Sequence, residues 1–161
     1  VVSDQDREII WQQLGREPRG LVSVVARCEC TAPLVVSTEP RLSDGTPFPT
    51  TYYITCPRLA GVIGTLESSG LMREMQEQLQ QDPELAQKYH QAHESYLADR
   101  ESLGRVEELD GISAGGMPSR VKCLHVLIGH SLAVGPGVNP FGDQALAILE
   151  PWWLTEPCCH E

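Results

Sequence analysis

Apolar and polar positions change their spacing several times along the chain, and each change marks an element. Behind Ser3, Ile9, Ile10 and Leu14 recur at helical intervals, with Asp4 and Asp6 in the first turn and Gly15 as the stop, which predicts a short amphipathic helix. Two β-branched runs, Gly20–Arg27 and Pro33–Thr38, flank Cys28–Ala32 and read as a hairpin with a cysteine-bearing turn. From Arg41 to Pro49, Asp44-Gly45 and the prolines Pro47 and Pro49 remove backbone donors and predict an irregular loop. Thr50–Thr55 alternates again as a third strand. Pro57 then suits a first helical turn, so Arg58–Ser69 is expected to be a helix capped by Thr55 or Cys56, buried through Leu59, Val62, Ile63 and Leu66 and closed by Gly70. Leu71–Leu103 is helical, polar and rich in Gln and Glu, with a break at Asp82-Pro83. Gly104–Met117 is a glycine-containing connector.

The run Arg120–His130 departs from this amphipathic style. With the helix opened by Pro118-Ser119, Leu124, Val126, Leu127, Ile128, Leu132, Ala133 and Val134 point in nearly every direction at ~100° per residue, the mark of a helix buried on most sides. Within it, Cys123 and His130 fall on one side, and His125 stands about 200° from Cys123 if the helix is regular from its start. Asn139-Pro140 begins a last helix through Leu149. The expectation is a single α+β domain over residues 1–150, a small antiparallel sheet of about three strands packed with five or six helices, and a tail over residues 151–161 containing Trp152, Trp153, Cys158, Cys159 and His160.

Composition narrows the classes of function. At 161 residues and 41% apolar content the chain supports one core. No apolar run approaches the ~20 residues of a spanning helix, and the charged first ten residues argue against an intact signal peptide. A formal charge of −10, with twelve scattered Lys and Arg, disfavours nucleic acid and acidic membrane surfaces. Six cysteines without an export signal read as reduced thiols or ligands, and the expected location is the cytoplasm.

Several motifs occur together and in order: Arg27-Cys28, Asp44-Gly45-Thr46-Pro47-Phe48-Pro49-Thr50, Thr55-Cys56-Pro57, Leu66-Glu67, Gly115-Gly116, Lys122-Cys123-Leu124-His125 and Asn139-Pro140-Phe141-Gly142. Across about Leu14 to Leu149 the chain resembles the bacterial DUF501 family, its actinobacterial branch most. The resemblance implies a bacterial cytoplasmic protein without an assigned function, and it marks Cys28, Cys56, Cys123 and His125 as the family's positions. Cys30 belongs to the Cys-x-Cys form of that branch. Some relatives carry His at the position of Cys56, an exchange that suits a zinc ligand better than a nucleophile.

These positions lead to a Zn²⁺ site made by Cys28, Cys56, Cys123 and His125, stapling two strand ends to the central helix in a binding or adaptor protein. Cys123 and His125 can share an ion only if the helix begins after Lys122-Cys123 or is distorted there; Cys30 or His130 is the substitute. A protein partner would meet the polar Met72–Leu103 helices, and the oligomeric state is open. One alternative is an enzyme acting on a phosphate-containing or small polar substrate between the Asp44–Thr50 loop and the Cys123/His125 helix start. Another is a set of buried structural cysteines with no metal. Cys123 and His130, ~10 Å apart along a helix, are too distant for a direct thiol–imidazole bond. His90 and Glu94 share a helix face that reads as solvated, Asp44 reads as a turn residue before a base or Mg²⁺ ligand, and Arg27, Arg120 and Lys122 read as scattered surface charges.

Overall fold

The computed structural model describes residues 2–149 and 151–152. Helix α1 (Asp4–Leu14) begins where the Ser3 side chain accepts the Asp6 N–H and ends at Gly15 in the left-handed conformation. Strands β1 (Leu21–Arg27), β2 (Pro33–Thr38) and β3 (Tyr52–Ile54) form one antiparallel sheet in the order β1-β2-β3. Val24 faces Val36, and Val36 faces Tyr53. Every residue of the central strand is buried. Between the second and third strands, the Asp44 carboxylate accepts the Thr46 N–H, so Asp44-Gly45 is the turn its sequence predicts.

Helix α2 (Pro57–Glu67) follows β3 with Cys56 as its cap, and the polar stretch is two helices, α3 (Leu71–Gln81) and α4 (Pro83–Leu103). Asp82 ends the first and caps the second, accepting the N–H groups of Glu84 and Leu85. Neither helix is polar all round: Leu71, Met75, Leu79, Tyr89, Ala92 and Tyr96 enter the core. Arg100 is also buried and has three carbonyl partners, on Pro49, Leu109 and Ile112, which tie α4 to the approach of β3 and to the following connector. Carbonyl dipoles on three sides offset part of the desolvation of a guanidinium that cannot deprotonate at ordinary pH.

The central helix, α5, spans Leu124–Val134, not from Pro118-Ser119 as the pattern predicts. Residues 118–123 are instead held as a folded approach: Arg120 N–H donates to the Gly116 carbonyl, Lys122 N–H to that of Gly115, and Val121 N–H to the Gln76 side chain. Gly116 is at φ +95, and a Cβ there would lie 2.6 Å from the Arg120 carbonyl oxygen, so this approach requires glycine. The helix itself is buried on most sides, through Leu124 and Val126–Ser131. It packs on β3 and on α6 (Pro140–Leu149). At the α5–α6 contact the two backbones nearly touch, since a Cβ on Gly142 would stand 2.2 Å from the Leu127 carbonyl oxygen and from the Ser131 hydroxyl. Trp152 joins the same core, whereas Trp153, Cys158, Cys159 and His160 lie outside the described residues.

His130 sits at the centre of this packing. Its ring lies parallel to Tyr52 at 6.0 Å, takes the edge-on contact of Tyr96 at 5.1 Å, and meets the Asn139 amide through Nδ1 at 3.2 Å. Burial disfavours the imidazolium and pushes the pKa down to about 4. His93 is a second buried imidazole, paired through Nδ1 with the Ser113 hydroxyl at 2.7 Å, and its pKa is also lowered by burial.

Two outcomes follow from this packing. Gly142→Ala is expected to cost about 3 kcal/mol in urea unfolding, because neither a helix carbonyl nor its neighbour can move aside without separating α5 from α6. For His130, the unfolded chain takes up a proton near pH 6.5 while the folded one resists until about pH 4. The stability held by neutral His130 is therefore complete above pH 6.5 and declines by on the order of 3 kcal/mol as the pH falls to 4. His130→Gln should flatten that part of the stability–pH profile, whatever its stability at pH 7.

Candidate metal centre

The start of α5 lacks the cap its own sequence would be expected to supply. Cys123 holds the cap position in extended backbone at φ −147, ψ 108, and its side chain makes no capping bond. The acceptor comes from another helix: Glu67 Oε2 takes the Leu124 N–H at 2.9 Å. Glu67 is the last residue of α2, the end at which a carboxylate opposes the helix dipole, but it stands at the N-terminus of α5, where the dipole favours it. Its other oxygen, Oε1, lies 3.0 Å from His125 Nδ1. On the far side of the ring, His125 Nε2 donates to the Ala60 carbonyl at 3.1 Å.

Because Cys123 precedes the first helical residue, the 200° divergence of a regular helix does not apply. The condition that lets Cys123 and His125 converge is met. The thiol, one ring nitrogen and one carboxylate oxygen of Cys123, His125 and Glu67 all lie within 4.8 Å of one another. His125 prefers the proton more than a free imidazole does: the hydrogen bond with Cys123 contributes most, burial opposes it, and the Glu67 charge and Ala60 carbonyl add to the rise.

A cleft of about 330 Å³ opens beside this group, lined by Thr50, Tyr52, Tyr53, Ile54, Ala60 and Val126 together with Cys123 and His125. Thr50, at the end of the proline-rich loop, reaches it. Asp44 does not line it; that carboxylate pairs with Arg19 at 2.7 Å, just as Arg27 pairs with Asp6.

The remaining sequence candidates occupy separate places. Cys56 is fully buried, and its Sγ accepts the Leu59 N–H at 3.5 Å as the cap of α2. Cys28 is a half-buried free thiol just beyond β1. Neither belongs to the group formed by Cys123, His125 and Glu67, which is the only set of three or more such donors among the described residues. Cys30 is disulfide-bonded, a departure from the expectation that the cysteines are reduced. His130 is enclosed by Tyr52, Tyr96 and Asn139 and is not part of the group that holds Cys123. His90 and Glu94 form an exposed pair at 4.0 Å, the solvated face that their spacing predicts.

No local pattern in the sequence marks Glu67 as a donor: it lies in the Leu66-Glu67 motif, but its role depends on α2 and α5 meeting end to end.

The family model of DUF501, a protein family of unknown function, matches residues 24–147. The chain belongs to the DUF501 family. The matched range of this DUF501 protein contains Glu67, Cys123, His125 and the whole cleft, and leaves out α1. No match was found among curated proteins or among solved structures. Among the described residues of the DUF501 chain, no helix is long and apolar enough to cross a membrane.

Glu67 can be tested apart from any ligand. Glu67→Ala should cost about 1–2 kcal/mol through loss of the borrowed cap. Glu67→Gln keeps an acceptor for Leu124 but removes the charge, so the His125 pKa, followed by NMR titration, should move down toward 6.5. An unchanged titration would show that the carboxylate does not act on the ring.

Proposed function

We propose that this DUF501 protein binds a metal ion, Zn²⁺, through Cys123 Sγ, His125 Nδ1 and Glu67 Oε1. The observation that carries the reading is the convergence of these three donor types within 4.8 Å, with the outward atom of each of two ligands already engaged. His125 Nε2–H on the Ala60 carbonyl leaves Nδ1 as the ligating atom. The Leu124 N–H on Glu67 Oε2 leaves Oε1. Such outer bonds orient metal ligands and select the histidine tautomer. Thiolate, imidazole and carboxylate are all zinc donors, and the thiolate disfavours Mg²⁺ and Ca²⁺.

The ion would compete with the proton that His125 binds more readily than a free imidazole does. It would join the end of α2 to the start of α5, and so serve a binding or adaptor domain. The exposed Gln and Glu of α3 and α4 supply the surface for a protein partner in that role. Of the four ligands expected from sequence, Cys123 and His125 belong to the proposed site with Glu67 as the third donor, and Cys28 and Cys56 lie outside that group.

Elemental analysis of untagged protein is expected to find about one zinc per chain. The metal should be lost in Cys123→Ser and His125→Gln, much weakened in Glu67→Gln, and retained in Cys28→Ser and Cys56→Ser. Wild-type protein that neither carries nor takes up zinc would sink the proposal. Zinc affinity should rise with pH through the elevated His125 pKa and keep rising above it, since binding must displace the imidazole proton and also the thiol proton of Cys123.

A further inference from the structure

Resting on the metal reading, we infer that the ion keeps its fourth position open to the Thr50–Ile54 cleft and there binds a small, uncharged molecule with a nitrogen or carbonyl donor and an apolar body. Zinc in structural sites is closed by four protein ligands, whereas three protein ligands leave a position for an exogenous donor. Among the described residues only three donors converge. Of the other sequence candidates, Cys56 caps α2 from a fully buried position, Cys30 is disulfide-bonded, His130 is enclosed in the core, and the free thiol Cys28 lies outside the group.

The cleft adjoins the donors directly, for Cys123 and His125 are part of its wall. Its 330 Å³ is about ten times the ~30 Å³ share of one liquid water, which is room for a small organic molecule. Ile54, Ala60 and Val126 supply apolar surface, and Thr50 is a polar residue at the side.

Charge selects among donors. A thiolate and a carboxylate together cancel a dication, and no Lys or Arg lines the cleft. An anionic ligand would therefore bring an unbalanced charge into mostly apolar surroundings, where it is costly. A neutral donor adds no charge and needs only to displace bound water, with no covalent bond made or broken. The same cancellation weakens the ion's pull on a bound water's proton compared with an all-histidine site, so the arrangement favours ligand capture over generation of hydroxide.

Full-length protein loaded with Co²⁺ tests this through its visible d–d bands and its thiolate-to-cobalt absorption. Titration with phenylimidazole is expected to shift the d–d bands saturably, while azide and acetate leave them nearly unchanged. Thr50→Trp should preserve both cobalt signals and weaken the phenylimidazole response at least tenfold, on the order of 1.4 kcal/mol or more. Tetrahedral cobalt bands that phenylimidazole does not move would overturn the open position. A response to azide as strong as that to phenylimidazole would overturn the neutral class of ligand. Absence of any thiolate-to-cobalt absorption would instead remove the metal reading itself, and this inference with it.

Discussion

The first backbone donor of a buried helix has nowhere to go unless the fold brings it an acceptor, and in this protein Glu67 is brought to Leu124 from the end of another helix. One carboxylate thus settles three things. It caps α5, it fixes how the end of α2 meets it, and it holds the His125 ring by its Nδ1 side. A carboxylate with those partners has little freedom, and what it does not use for the backbone faces a thiol. The candidate centre is a consequence of satisfying the helix end.

Around that end, the interior is assembled by close backbone approach. Gly142 lets α6 settle against Leu127 and Ser131, and Gly129 brings α5 to the backbone of Tyr52, where a Cβ would stand 3.2 Å from the carbonyl oxygen. These approaches leave the Tyr52, Tyr96 and His130 rings in mutual contact below the cleft, and the Tyr96 hydroxyl accepts the Thr51 N–H at 2.7 Å. Tyr52 extends the link by donating to Asp99 on α4. The cleft therefore has a wall braced by the core on one side and by α2 on the other. A site on such a wall is held in place by packing, as binding sites on helices and strands generally are.

The two kinds of histidine in the chain show how environment divides one side chain into separate tasks. His130, deprived of water and offered an amide, is a neutral packing element. His125, half-exposed and set between a carboxylate and a carbonyl, is drawn toward the cation. Both lie on α5, five positions apart. No local feature of the run Leu124–His130 distinguishes them; the neighbours on β3, α2 and α6 do.

Much was legible in the chain before folding. Ser3, Gly15, Asp82 and Asn139-Pro140 mark helix ends by local chemistry, and the β-branched runs and Asp44-Gly45 mark strands and a turn, because these signals act within a few residues of themselves. The all-round apolar pattern also identified the buried helix. Its starting point was not legible, since Pro118-Ser119 offers a valid local start and the contacts that defeat it come from Gly115, Gly116 and Gln76. That shift brings the group together: with the helix beginning at Leu124, Cys123 joins His125 and the distant Glu67 lies with them, whereas Cys28 and Cys56 lie outside the group. The sequence by itself determined the elements and placed a thiol and an imidazole near the head of a buried helix. Only the tertiary structure decided which donors meet, because that depends on the meeting of two helix ends separated by more than fifty residues, a distance over which no local propensity carries information.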